Sequence, residues 1–112
     1  KYVVTVNKDG SLNVVFPEES FDFTSVMQEL GTIVQGSYVV KDIPFDKTKN
    51  AYYLDYAGSV DADVTIFGKK NNYELTVGEV TVTVDGNNLK VVNRHQFGKM
   101  PFVMTNTYNG VK

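Results

Sequence analysis

Apolar and polar residues alternate along most of this chain. In Val80-Thr81-Val82-Thr83-Val84 every second side chain is apolar, and the alternation resumes at Leu89 and Val91. A period of two places those side chains on one face of a β-strand. Asp85-Gly86-Asn87-Asn88 separates the two runs, and its Asp-Gly pair supplies the positive φ angles of a tight hairpin. The same reading predicts strands over 2–6, 11–16, 33–43, 51–57, 60–67, 73–84, 89–97 and 102–108. Asn7 to Gly10, Gly58-Ser59 and the 68–72 segment are the predicted connections, and Pro17 and Pro44 end strands because proline has no N–H to give to a ladder.

Two places break the pattern. Tyr73, Leu75 and Val77 share one parity, whereas Val80, Val82 and Val84 share the other. One extra residue at Gly78-Glu79, a β-bulge, restores all six to a single face, and such bulges bend and coil a sheet. In the 22–31 segment, Phe23, Val26, Met27 and Leu30 follow helical spacing instead, with Thr24 or Ser25 as a cap and Gly31 past the end. A two-turn helix and an irregular crossing both fit this segment, which is placed to plug one end of the β structure.

Eight strands spaced about ten residues apart predict an all-β fold, an antiparallel meander closing into a roughly eight-stranded barrel. Closure also removes the unpaired edges of an open sheet. A chain of 112 residues fits one domain, 1–112.

Composition narrows the chemistry. Thirteen acidic against eleven basic residues leave a net charge of −2 and no basic stripe, so nucleic acid is not an expected partner. No apolar run approaches the roughly 18 residues of a membrane-spanning helix. Cysteine is absent, which removes disulfides, thiolate metal sites and cysteine nucleophiles. No Walker or dinucleotide glycine pattern occurs, and none of the serines lies in Gly-x-Ser-x-Gly. No cofactor is expected.

The candidate site residues are aromatic. Tyr52 and Tyr56 share a parity with Leu54, and Tyr38 aligns with Val34 and Val40. His95, the one histidine, falls on the same face as Phe97. Tyrosine packs as an apolar group while offering a hydroxyl, and histidine titrates near neutrality, so an inward-facing set of Tyr38, Tyr52, Tyr56, His95 and Phe97 fits a ligand-lining wall. The same residues also serve as ordinary core packing. Asp55, Asp61 and Asp63 gather near the Gly58 turn and read either as a hard-cation site or as solvated charges opposite Val60, Ala62, Val64 and Ile66. Lys69-Lys70 reads as turn chemistry, and Glu18, Glu19, Asp22 and Glu29 as a solvated acidic segment.

Several features together resemble one family. Asp9-Gly10 followed by Leu12, Val14 and Phe16 looks like an opening hairpin. Phe21-x-Phe23, Gly31-x-Ile33 and Val40-x-Asp42-Ile43-Pro44 look like the next strands, and Met104-x-x-x-Tyr108-x-Gly110 like a closing aromatic-x-glycine strand. In this order they resemble the calycin-like β-barrel domain of exported Bacteroidetes proteins and lipoproteins. The resemblance implies a lipocalin-like barrel, and export to the periplasm or the cell surface with a lipid anchor upstream of Lys1. The leading strand is shorter than that family's pattern.

The expected function is a non-enzymatic binding module for a small hydrophobic or sugar ligand. A structural or adhesive protein-interaction module with a packed core is the alternative, and a carboxylate-dependent hydrolase ranks last. An interior void above roughly 300 Å³ separates the first reading from the second.

Overall fold

The computed structural model describes residues 2–22, 32–66, 68–98 and 103–111. Every regular element among them is a strand: β1 (Val3–Val6), β2 (Leu12–Phe16), β3 (Glu19–Asp22), β4 (Thr32–Gln35), β5 (Tyr38–Ile43), β6 (Phe45–Asp46), β7 (Ala51–Asp55), β8 (Asp61–Ile66), β9 (Lys69–Asp85), β10 (Asn88–Phe97) and β11 (Met104–Val111). The helical expectation over 22–31 falls almost wholly outside the described residues, which on this side begin again at Thr32.

All ladders are antiparallel. The larger sheet has eight strands, running β11-β10-β9-β8-β4-β3, with β7 and β6 continuing from a second stretch of β9. β9 is the hub. Its first part pairs with β8 through Lys69 to Glu74, and its later part pairs with β7 through Glu79 to Val82. β10 pairs along the opposite edge of β9 for nearly its whole length. Seventeen extended residues span roughly 53 Å, yet the longest dimension of the molecule is 43 Å, so β9 must bend. The result is a strongly curled half-barrel.

A separate sheet, β1-β2-β5, covers the open side. No ladder joins it to the half-barrel among the described residues, so the expected closure into one eight-stranded barrel is not seen among them. β5 runs through Pro44, whose carbonyl accepts the Tyr53 N–H at 3.0 Å, into β6 of the larger sheet, and side chains pack between the two sheets. The core lies between them. Val14 and Phe16 of β2 and Val40 and Ile43 of β5 are buried, as are Val64 of β8, Val80 and Val82 of β9 and Phe97 of β10. Each such side chain contributes about 1.5–3 kcal/mol on burial.

Four expectations need correction. The bulge in β9 lies two residues earlier than expected: Gln96 pairs with Val77 but Phe97 with Leu75, so Thr76 is the extra residue. Leu75 is buried on one parity, and Gly78, Val80 and Val82 on the other. Second, the segment 33–43 is two strands in different sheets. Gly36 donates its N–H to the Asp63 carbonyl at 2.7 Å, which ties the chain to β8 just before it crosses to pair with β2. The crossing flips the parity: Ile33 and Gln35 are buried before it, Tyr38 and Val40 after it, and Val34 leaves the inward face. Third, Lys69 and Lys70 are strand, not turn, because Ile66 pairs with Lys69 and Thr65 with Lys70. Fourth, residues 19–22, read as part of a solvated acidic segment, form strand β3, which pairs with β4, while Pro17 ends β2 as expected.

A second irregularity sits in β5, where Leu12 pairs with Ile43 but Val14 with Val40. Asp42 takes φ 58° there, a left-handed conformation that Asp tolerates better than most residues. Asn13 holds it: its Oδ1 accepts the Asp42 N–H at 3.0 Å, while Asn7 Nδ2 donates to both Asn13 Oδ1 and Asp42 Oδ1. At the β9–β10 turn Asp85 pairs with Asn88, so the hairpin is the expected tight one but its two loop residues are Gly86-Asn87 rather than Asp85-Gly86, and Gly86 alone supplies a positive φ, 59°.

Candidate functional site

Two regions hold the residues of functional interest. The first is a buried polar network inside the curl of the large sheet. β10 carries Asn93 and His95 on its inward parity with Val91 and Phe97, all essentially without solvent exposure. β5 brings Tyr38, β4 brings Gln35, and the chain beyond β7 brings Tyr56. Gly78 receives the Tyr56 ring: a Cβ at position 78 would stand about 2.5 Å from Tyr56 Cε1, and the Tyr56 N–H donates to the Gly78 carbonyl at 2.8 Å.

These side chains close a ring of hydrogen bonds. Asn93 Nδ2 donates to the Tyr38 hydroxyl at 2.7 Å, Tyr38 to the Tyr56 hydroxyl at 3.2 Å, and Tyr56 to Asn93 Oδ1. In this assignment each phenol donates once and accepts once, and the amide oxygen is satisfied, which is what an uncharged buried network requires. Asn93 Nδ2 also lies 3.4 Å from His95 Nδ1, and His95 Nε2 lies within hydrogen-bonding distance of Gln35 Oε1, at 3.0 Å. Burial holds the imidazolium off, bringing the His95 pKa down from 6.5 to about 4, so the ring is neutral at physiological pH. Burial likewise raises Tyr38, and it raises Tyr56 well above the ordinary phenol range. Phe97 packs edge-on against His95, ring centroids 5.2 Å apart.

The structure therefore brings together four of the five residues singled out from the sequence, Tyr38, Tyr56, His95 and Phe97, and buries them. Tyr52 lies apart. Asn93 and Gln35 complete the network without having been singled out. Asn93 was discoverable, since it shares a parity with Val91 and His95. Gln35 was hidden by the parity flip at Gly36.

The second region is an apolar cleft at one end of the molecule, with a volume of about 1100 Å³. Its walls come from β1, the tips of β9 and β10, the end of β11, and Phe45 and Tyr52 of β6 and β7. Of the seven large apolar side chains exposed among the described residues, five line it: Val3, Val6, Phe45, Val84 and Val111. No carboxylate, lysine, arginine or histidine lies on its wall. The cleft is where β1 and β11, the unpaired edges of the two sheets, approach without a ladder. Tyr2 spans the gap, its ring 5.1 Å from that of Tyr108 and its hydroxyl over Gly110, where any Cβ would collide with it. That hydroxyl is the one buried side-chain polar atom among the described residues left without a partner. A smaller cavity of about 400 Å³ lies in the other seam, between β5 and β7, with Tyr56 behind it.

The remaining candidates are spread over the surface. Asp61 and Asp63 are exposed on the outer face of β8, with Asp63 accepting from Asn72 Nδ2 at 3.2 Å, while Ala62 and Val64 between and after them are buried. Asp55 sits in another ladder, opposite Glu79. Among the described residues no group of three or more potential ligands is placed to hold a metal ion. Glu19 is engaged by the Tyr108 hydroxyl at 2.6 Å. Glu79 takes hydrogen bonds from Tyr53 and Arg94, which lower its pKa, and the same bond pushes Tyr53 up to about 12. The Arg94–Glu79 ion pair at 2.8 Å is solvent-exposed and is worth under about 1 kcal/mol.

No helix among the described residues is long and apolar enough to cross a membrane. No family model matches the chain, and no curated protein or solved structure is significantly similar to it.

Proposed function

We propose that the protein is a non-enzymatic binding module for a small, uncharged, hydrophobic ligand held in the cleft between the two sheets. The observation that carries this reading is the concentration of exposed apolar side chains there, five of the seven, around a volume of about 1100 Å³. Soluble domains seldom leave a concave apolar surface of that size without a use for it. Burying roughly 200 Å² of an apolar ligand contributes about 5 kcal/mol before the costs of association. The wall offers hydroxyl and amide groups from Tyr52 and Asn109 but no charge, which favours a hydrocarbon or sterol-like body over a carboxylate-rich or sugar ligand.

In this reading Tyr38, Tyr56, His95 and Phe97 serve the scaffold rather than the ligand, and Tyr52 alone of the expected set touches both. A half-barrel with a covering sheet is compatible with a lipocalin-like container opened along one seam, and export or lipid anchoring belongs to this proposal. Methyl-resolved NMR tests it, with titrations of a neutral sterol, a long-chain alcohol, a fatty acid and an oligosaccharide. Shifts at Val3, Val6, Val84 and Val111 with the first two ligands are the expected result. Shifts confined to residues around His95, or none with any ligand, would overturn it.

A further inference from the structure

Among the described residues several strand edges are exposed, and all but one are guarded. β1 has only four residues, and β3 has four with Glu19 and Asp22 among them. β5 carries Lys41, the left-handed Asp42 and then Pro44. Short length, charge, irregular backbone and proline are the usual means of discouraging strand addition. β11 has none of these. Its eight residues, Met-Thr-Asn-Thr-Tyr-Asn-Gly-Val, include no charge and no proline, and they pair with β10 from Val111 to Met104 without a register break. Its other edge pairs with no strand among the described residues.

The side chains choose a partner for that edge. Val103, Thr105, Thr107, Asn109 and Val111 form one exposed face, and Val103 and Val111 are 42% and 73% exposed. Consider two copies of β11 paired antiparallel about a two-fold axis through Thr107. Thr107 then faces Thr107, Thr105 faces Asn109, and Val103 faces Val111 at both ends. Threonine and β-branched pairs of this kind are favourable cross-strand neighbours, and an uncharged strand meets no like-charge opposition from itself. This register covers all four exposed valines of the pair at once. Registers shifted by two residues along the strand leave valine opposite threonine or asparagine, or beyond the ladder.

We propose that β11 is the interface of a symmetric dimer, formed by antiparallel edge-to-edge pairing of two copies centred on Thr107. The larger sheets of two molecules would become one continuous sheet. The ladder is short, so the interface falls below the size of stable dimers and the association is reversible. It rests on the β11 edge rather than on the cleft, although Asn109, Gly110 and Val111 belong to both.

Sedimentation equilibrium up to about 1 mM protein is the first test, and a reversible monomer–dimer equilibrium is expected. Thr107 is exposed, so Thr107→Lys leaves the fold intact by HSQC but sets two ammonium groups against each other on the axis. It should weaken association at least about tenfold, and mixing it with Thr107→Glu should restore a heterodimer. In the native cysteine-free background, Thr107→Cys should cross-link to itself under mild oxidation, because antiparallel pairs bring Cα atoms to about 4.5–5.5 Å, within disulfide reach. Thr105→Cys should not, since its own counterpart lies about 13 Å along the strand. A chain monomeric at the highest concentration would overturn the proposal. A dimer indifferent to Thr107→Lys that also fails to cross-link through Thr107→Cys would do so equally.

Discussion

The polar network and the apolar cleft reverse the usual expectation of what a functional site looks like. The network has the residue types associated with chemistry, a histidine, two tyrosines and two amides, yet its hydroxyl–amide ring is closed upon itself and its members are buried. The cleft consists mostly of valine and aromatic side chains, yet it is open and unsatisfied. A polar group buried inside a protein must find a partner or cost a few kcal/mol, so a fully paired set has already spent its capacity to bind anything else. An apolar group exposed to water retains its full capacity to be covered. What distinguishes the two regions is which side chains still have something to gain.

The largest effect that would break this contrast is expected at Tyr56. Tyr56→Ala empties the space over Gly78 and strands Asn93 Oδ1 and the Tyr38 hydroxyl, at a cost of about 4 kcal/mol or more. Chemical denaturation of this variant should show a severely destabilised chain, and Tyr56→Phe a loss of about 2 kcal/mol with ligand affinity unchanged. A full-strength fold in Tyr56→Ala would mean the network is not structural.

The next effect is a pH dependence. The folded pKa of His95 lies near 4 and its unfolded value near 6.5, so between them the unfolded chain binds a proton that the folded chain refuses. Stability from this group is complete above the unfolded value and is lost as pH falls towards the folded one. The expected loss is about 2 kcal/mol between pH 7 and pH 5, where most carboxylates remain ionised. Denaturation midpoints across that range should slope in the native chain and flatten in His95→Gln. Equal slopes would assign the effect to other groups.

The smallest change in stability is expected in the cleft. Phe45 is 49% exposed and packs edge-on against Tyr52 at 5.2 Å. Phe45→Ser should cost under about 1 kcal/mol of folding stability but about tenfold in affinity for an apolar ligand. The reverse ranking, with stability strongly lost and affinity kept, would make the cleft wall part of the core.

Much of the fold was legible because alternation and turn chemistry are local signals. The β9–β10 hairpin, the inward parity of His95 and Phe97 and the outward Asp61 and Asp63 all follow from counting by twos. What escaped depends on the partner strand. Nothing in Gly36-Ser37 alone says that the chain leaves one sheet for another there, and this hid Gln35 and misaligned Tyr38 with Val34. The β9 bulge was legible as a phase slip, but its position is set by how Phe97 meets Leu75 across the ladder. The cleft was the least visible of all. Val3, Val6, Val84 and Val111 look like ordinary strand valines until the two sheets are seen to part over them.

The division of labour along β9 has one more consequence, for how the molecule comes apart. β9 belongs to ladders with β10, β8 and β7, so it cannot be released from one without weakening the other two. The curled sheet is accordingly one cooperative unfolding unit. The β1-β2-β5 sheet shares no ladder with it among the described residues and is held by the Pro44 link from β5 to β6, by the Tyr38 hydrogen bonds and by side-chain packing across the core. Breathing of the molecule is therefore concentrated where that sheet meets the rest, and the cleft lies on the same boundary.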